Sequence, residues 1–386
     1  MTEKPRVLLL FFEGLLETVI DSQVLGHARE LSQHGIADFH IWSVACEETQ
    51  YERSVARLAG AIELAQCPVR VFRGVRPSAP FSVLRNARML ADALGSSTWP
   101  FTHIHGRNDY AVVIGAHLTR RHPATLIWDC RGDSAAQVDY YGREPFQSLH
   151  KAWLRRRMRA AAQHCDRALF VSRPLRELAR NDLNGKIREI VPCCAAENEF
   201  FFDADMRTAT RAELGYVPGD LIFIYSGGLQ PYQRFEDTID AFRSFRERDA
   251  RARLLIVTPD KQTALARIKG AAGDVQLLSA PLSEINRLLN AADVAFLLRH
   301  GNGTNRVASP TKFAEYCLAG LPVVMTDAVV DSHALARDLG NLISFDEGAG
   351  EIGDIPVIDR AALSAASRSK LGKGSFLSSY RRIYAP

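Results

Sequence analysis

The stretch "SPTKFAEYCLAGLPVV" (309–324) places a cation where a helix ordinarily disfavours one. Ser309 reads as an N-cap and Pro310 as the first helical residue, which puts Lys312 in the first turn. A helix N-terminus carries about +0.5 charge, so an ammonium there costs roughly 0.3–1 kcal/mol unless an anion sits nearby. Two readings are open. One is an i,i+3 pair between Lys312 and Glu315, worth about 0.2–0.5 kcal/mol. The other is an anionic ligand, such as a phosphate, at the helix mouth. Two neighbouring segments bear on the choice. "YSGGLQPYQR" (225–234) follows a strand and precedes a helix, and Gly227-Gly228 would let backbone approach a ligand closely, although a tight turn alone would also use them. "HGNGTNRVASP" (300–310) brings Asn305 and Arg306 beside the same helix mouth.

The N-terminal half offers a second group. "HIHGRN" (103–108) and "WDCRGD" (128–133) both end apolar runs, so His105, Arg107, Asp129 and Arg131 belong at strand ends. Each has a structural alternative: a hydrogen-bonded core histidine, or an Asp129–Arg131 pair that only fixes its loop. Their joint placement favours a site. "FFDADMR" contains D-x-D, but it lies in a polar connecting segment, so no metal role is assigned. No His/Cys/Asp cluster has metal spacing, no G-x-S-x-G elbow is present, and no complete G-x-G-x-x-G supports a nicotinamide dehydrogenase. "KAWLRRRMRAA" gathers five basic residues from Lys151 to Arg159 on one helix. It reads as a solvated face or as a patch for a membrane surface or anionic acceptor.

These residues need elements to hold them. Short apolar runs ("RVLLLFF", "DFHIWSVA", "VRVFRGV", "FTHIHG", "TLIWDCRG", "RALFVSR", "EIVPCC") alternate with helical segments such as 18–34, where Ile20, Val24, Ala28 and Leu31 share a face. That rhythm predicts α/β architecture, a parallel sheet covered by helices on both faces. A polar break near 200–208 predicts a link, and a second series follows with "LIFIYSGG", a helix from Phe235 to about Arg248, "ARLLIVTPD", "VQLLS", "ADVAFLLRH" and "LPVVMT". The expected division is 1–203, 204–365 and a terminal helix 366–386 that carries Phe376, Tyr380 and Tyr384 and crosses back onto the first domain. Two doubly wound domains would bind ligands in a cleft, outside the C-terminal strand ends. The chain has 386 residues, 47% of them hydrophobic and 24% charged, which fits two globular cores. Net charge of +4 supplies no cationic surface for nucleic acid. Seven scattered cysteines without C-x-x-C fit reduced thiols, hence a cytoplasmic, soluble protein.

Several stretches together resemble a known family. "EYCLAGLPVV" is similar to the donor-site helix of retaining, GT-B-fold glycosyltransferases of family 4 (glycosyl transferases group 1). "YSGGLQPYQRFEDTIDAF" resembles their Gly-rich loop and following helix, "VPCCAAENEFF" their interdomain stretch, and "FVSRPLRELA" the strand and helix before it. "HIHGRN" and "WDCRGD" are similar to variants in a bacterial subset. The resemblance implies two Rossmann-like domains and metal-independent, retaining transfer of a hexosyl-type sugar from a nucleotide diphosphate donor to a glycan, lipid-linked or small acceptor, as in cell-surface glycan synthesis. Two departures stand out. The first Glu of the family's E-x7-E pair falls on Val307, and the Arg and Lys of its Gly-rich loop fall on Gly228 and Gln233. The expected donor contacts are therefore Gly227, Gly228, Gln233, Asn305, Ser309, Pro310, Thr311, Lys312 with Arg306 on the diphosphate, and Glu315 on the ribose. His105, Asp129 and Arg131 are expected at the reacting centre, with Gly14 and Arg107 on the acceptor side. No cofactor, metal or nucleic acid is expected, and the membrane's inner face is a contact only if Lys151–Arg159 is used. The alternatives are a GT-B nucleotide-sugar epimerase and an inactive, glycosyltransferase-like binding subunit.

Overall fold

A computed structural model describes residues 4–16, 18–95, 100–140, 146–268 and 274–385. The chain divides into two compact units, Met1–Pro192 with Phe376–Pro386, and Cys193–Ser375. Each is built on a seven-stranded sheet.

The first sheet comprises β1 (Arg6–Phe11), β2 (Asp38–Ala45), β3 (Val69–Arg73), β4 (His103–Arg107), β5 (Thr125–Cys130), β6 (Arg167–Phe170) and β7 (Ile187–Ile190), in the order β3-β2-β1-β4-β5-β6-β7. All its pairings are parallel. Runs such as "RVLLLF" are buried almost throughout because helices cover both faces. The expected helix at 18–34 is a run through Thr18–Ile20, a π-helical turn Asp21–Leu25 and Gly26–Gln33, with Ile20, Val24, Ala28 and Leu31 all buried. The C-terminal segment belongs to this unit: the helix Leu377–Ile383 buries Tyr380, and the Arg167 guanidinium donates to the Ile383 and Ala385 carbonyls at 2.8 and 2.5 Å.

The second sheet comprises β8 (Leu221–Ser226), β9 (Ala252–Val257), β10 (Val275–Leu278), β11 (Val294–Leu297), β12 (Val323–Met325), β13 (Leu342–Asp346) and β14 (Glu351–Ile352), in the order β10-β9-β8-β11-β12-β13-β14. Only the β13–β14 hairpin is antiparallel. The sequence reading did not anticipate these last two strands, because "LISFD" alternates in burial at the sheet's end and offers no continuous apolar run.

The segment expected to link the domains at 200–208 lies inside the second unit. Phe200 is buried in that unit's core, and the Phe201 and Asp203 amides donate to the side-chain oxygens of Asn286 and Asn290 at 3.1 and 2.8 Å. Its polarity is used on these buried asparagines. Asp203 of the D-x-D pattern caps the helix Ala204–Glu213 by accepting from the Met206 amide at 2.8 Å. Among the described residues, no helix is long and apolar enough to cross a membrane.

Each sheet reverses its strand order once, at β1/β4 in the first and β8/β11 in the second. Open α/β sheets bind ligands outside the strand C-termini at such a reversal. The loops after β8 and β11 therefore locate one candidate site, and those after β1 and β4 the other.

Candidate functional site

In the second unit, the site is assembled around Lys312. It lies in the first turn of the helix Thr311–Leu318, and its ammonium donates to Gln233 Oε1 at 2.5 Å. It also sits 4.7 Å above the centre of the Tyr225 ring. The Lys312–Glu315 pair considered from sequence is replaced by these contacts, and the Glu315 carboxyl has no hydrogen-bond partner among the described residues. Tyr225, the penultimate residue of β8, turns its hydroxyl to the Gly228 carbonyl at 2.5 Å and to Gln233 Oε1 at 3.0 Å. The Gly-rich loop is thus folded back on its own strand.

Gly227 is required here on two grounds. Its φ is +128°, and a Cβ on it would lie 2.7 Å from Lys312 Nζ. The loop backbone and the end of the Lys312 side chain are thus packed closely, and a Cβ at 227 would displace the ammonium.

Ser309 does not cap this helix. Pro310 occupies the N-cap position and no side chain caps it. The Ser309 hydroxyl accepts instead from the Cys193 amide at 2.9 Å, a tertiary partner that local propensity does not reveal. The helix mouth keeps its uncapped, partially positive character. Asn305 is buried, its side chain donating to the His300 carbonyl at 2.9 Å, so it shapes the loop. Arg306 is exposed at the end of the short helix Gly303–Arg306. The second cation near Lys312 is Arg299, just after β11, which is buried with its guanidinium 5.2 Å over the Tyr232 ring. Thr326 holds its backbone, accepting from the Arg299 amide at 3.1 Å and donating to its carbonyl at 2.8 Å.

The electrostatics of Lys312 and Glu315 are set by burial and by neighbouring charges. Burial, then the nearby Arg299, holds the Lys312 ammonium well below the usual lysine range despite the pull of Glu315. Burial pushes the Glu315 carboxyl up to about 7, against Lys312 and with a small push from Glu199. A negative charge placed beside Lys312 would raise its pKa back toward the usual lysine range.

In the first unit, the expected residues do meet, around Asp129. Arg131 approaches one carboxylate oxygen at 3.4 Å, and His105 Nε2 and Arg107 approach the other at 3.4 and 3.8 Å. Burial alone would raise this carboxyl, but Arg131, the His105 hydrogen bond and Arg107 hold it well below the ordinary carboxylate range. His105 Nδ1 is 2.7 Å from the Tyr384 hydroxyl, so both ring nitrogens are engaged and the side chain is buried. Arg131 also donates to Gln23 at 3.0 Å. Arg107 Nε reaches Glu13 at 3.4 Å, and Asn108 donates to the same carboxylate. Gly14 has φ +67° and lies against the Gln50 side chain, which in turn donates to the Glu13 carbonyl at 3.0 Å. Gly14 thus serves the loop after β1.

Tyr384, Glu13, Arg299 and Tyr225 escaped the sequence reading. Arg299 carried a usable signal, a cation ending the run "AFLLR" at a strand terminus. Tyr384 was readable only as part of a terminal helix crossing back onto the first domain; its partner His105 lies 279 residues away and no local pattern names it. Among the described residues, none of the seven cysteines is joined in a disulfide. Among the described residues, no group of three or more His, Cys, Asp or Glu side chains is placed to hold a metal ion.

Residues 220–347 match the family described as glycosyl transferases group 1. No curated protein matches the sequence. Among solved structures, sucrose-phosphate synthase from Thermosynechococcus elongatus is similar over 99% of this chain and 98% of its own, with TM-score 0.63 at 13% identity. Anabaena HepE in complex with UDP and glucose matches over 98% of this chain and 99% of its own, with TM-score 0.65 at 12% identity. WaaG, a glycosyltransferase involved in lipopolysaccharide biosynthesis, matches over 98% and 94%, with TM-score 0.56 at 14% identity. At such identities the likeness establishes the fold: two Rossmann-like α/β units, as in glycosyltransferases of the GT-B type, with a glycosyl transferases group 1 match in the second.

Proposed function

We propose that the chain is a retaining glycosyltransferase of family 4 that takes a hexosyl-type sugar from a nucleotide diphosphate and needs no metal ion. The observation that carries this reading is Lys312: a partly buried ammonium against a glycine loop, at an uncapped helix N-terminus, at a sheet reversal. HepE, of similar fold, is solved with UDP and with UDP-glucose, which supports a nucleotide sugar as the ligand here.

In this reading the diphosphate lies over Gly227 and Gly228, takes Lys312 from Gln233, and has Arg299 as a second cation. Charge develops on the leaving phosphate as the glycosidic bond breaks, and these fixed groups stabilise it without a metal. Glu315, one turn further along the helix, accepts the ribose hydroxyls, which favours its ionised form. Arg131 and Arg107 orient the sugar or the acceptor. His105 acts through Asp129, holding the carboxylate that sets both guanidinium groups. With retention, the leaving phosphate can take the acceptor proton, so no protein base is assigned. The acceptor is a glycan, a lipid-linked glycan or a small molecule, and the site of action is the cytoplasm.

A thermal-shift panel of nucleoside diphosphates and nucleotide sugars tests the reading. A ligand at about 100 times its dissociation constant adds roughly 2.7 kcal/mol to stability. Release of nucleoside diphosphate that rises with added acceptor supports transfer. Release independent of acceptor would indicate an epimerase-like reaction, and a flat panel would indicate a binding subunit.

A further inference from the structure

The carboxyl ends of β2 and β3 border a cavity of about 580 Å³ that neither the donor site nor the Asp129 cluster uses. Cys46 lines it directly after β2, the loop from Gly74 to Ala79 lines it after β3, and Arg85 and Met89 line it from the helix Ser82–Gly95. Because the strands of this sheet are parallel, the cavity lies on the same edge as Arg107 and Asp129, where α/β sheets take their ligands. Its size falls within the range of small-molecule sites, roughly 300–1,000 Å³.

The wall of this cavity is fixed from several sides. Buried Asn86 accepts from the Val75 amide and donates to the Val75 carbonyl, both at 2.9 Å, and it also donates to the Tyr110 hydroxyl at 2.9 Å. Gly74 permits that approach, since a Cβ there would run into Val44 and lie 2.9 Å from Asn86 Oδ1. The Ser82 hydroxyl donates to the Pro77 carbonyl at 2.9 Å. On the other side Gln50 ties the cavity to the loop after β1. Its Oε1 accepts from the Cys46 amide at 3.1 Å, and its Nε2 donates to the Glu13 carbonyl at 3.0 Å. The cavity therefore adjoins Glu13 and Arg107.

Three arginines line this space, Arg73, Arg76 and Arg85, against one carboxylate, Glu48. Arg73 is paired with Glu48, and Arg76 with Glu47 at 3.0 Å. Both pairs are exposed, and exposed ion pairs hold their partners weakly. Arg85 is exposed and has no ion pair among the described residues. A guanidinium offers two parallel N–H donors to a phosphate, so an incoming phosphate group can draw these side chains from their present partners. Glu48, once released, accepts hydroxyl groups, while Met89 and Val75 supply an apolar wall. We infer that this cavity binds a phosphorylated sugar, with the arginines on the phosphate, and that the acceptor is of this phosphate-bearing class. The acceptor role rests on the transfer reaction proposed above; the binding of a sugar phosphate rests on the first unit alone.

Calorimetric titration of the full chain with glucose 6-phosphate, glucose and inorganic phosphate tests it. Glucose 6-phosphate saturates, inorganic phosphate competes with it, and glucose gives no signal. Arg73→Gln, Arg76→Gln and Arg85→Gln each weaken the affinity about tenfold, and each binds nucleoside diphosphate as the wild type does. Arg121→Gln, an exposed arginine before β5 at the opposite edge of the sheet, changes neither affinity. Thermal melts confirm that each variant is folded. Absence of glucose 6-phosphate binding in a protein that binds nucleoside diphosphate would overturn the inference and leave the donor reading standing. Glucose 6-phosphate binding without nucleotide binding would keep the cavity's ligand and overturn its acceptor role together with the proposed transfer. Binding that survives all three arginine substitutions and is lost in Lys312→Met would place the phosphate at the donor site, and would also overturn the inference.

Discussion

Replacing Gly227 with alanine places a methyl group 2.7 Å from Lys312 Nζ and 3.1 Å from its Cε. Ordinary carbon–nitrogen contact is about 3.5–4 Å, so the ammonium must retreat by about 1 Å. That breaks the 2.5 Å hydrogen bond to Gln233 and moves the charge off the loop. The backbone adds its own cost, since φ of +128° is strained for any residue with a Cβ, by about 1–3 kcal/mol. For a unit of this size the melting temperature should fall by about 3–9 °C. Loss of one charge-assisted contact to the diphosphate, about 1.5–3 kcal/mol, should weaken nucleotide binding by about 10–150-fold. Gly320→Ala is the contrasting control. Its Cβ would meet the Arg360 carbonyl oxygen, which is backbone and cannot yield, so this variant should fail to fold rather than fail to bind. Thermal unfolding by circular dichroism and calorimetric titration with nucleoside diphosphates read the two effects. A Gly227→Ala protein with wild-type melting and wild-type affinity would refute the placement of the ligand at this loop.

Lys312→Met should stabilise the unliganded protein at neutral pH by about 0.3–1 kcal/mol, by removing a cation from the helix start. Because folding lowers the Lys312 pKa, the wild type gains stability as pH rises toward the unfolded value of 10.5; the advantage of the variant should shrink over that range in melts taken at several pH values. Glu315 has the opposite sign: its pKa rises from 4.5 to about 7 on folding, so the wild type loses stability as pH rises through that window, by up to about 3 kcal/mol. Glu315→Gln should flatten this slope in denaturant titrations and weaken nucleotide binding through the ribose. Asp129→Asn should cost about 3 kcal/mol at neutral pH, because it takes the carboxylate from half-buried Arg131 and leaves buried Arg107 with Glu13 alone. Since folding lowers the Asp129 pKa, that contribution is present above the unfolded value of 3.8 and is lost in stronger acid, so the urea midpoints of variant and wild type should converge there.

Periodicity and charge made much of this protein legible. The apolar run of β8, the two glycines after it and the helix Phe235–Arg248 were each readable from local composition, and so was the oddity of Lys312. What stayed hidden depends on tertiary partners. Ser309 has the propensity of a cap but bonds to Cys193, which is distant in sequence. The segment after Cys193 looked like a linker because its hydrogen bonds go to Asn286 and Asn290, which no local pattern reveals. His105 was visible as a strand-end histidine. Its burial and its pairing with Tyr384, which together with Asp129 engages both ring nitrogens, were not. The cation pair at the donor site was read as Lys312 with Arg306. The structure puts Arg299 nearby and leaves Arg306 exposed, because strand-end position is legible in sequence and side-chain direction is not.

The central claim is that Lys312 meets the diphosphate of a nucleotide donor. Its most direct measurement is calorimetric titration of wild type and Lys312→Met, side by side, with the nucleoside diphosphate that gives the largest thermal shift. The account predicts binding to the wild type and an affinity about 10–150-fold weaker in the variant, the loss of one charge-assisted interaction. Equal affinity in a variant that melts as a folded protein would contradict it.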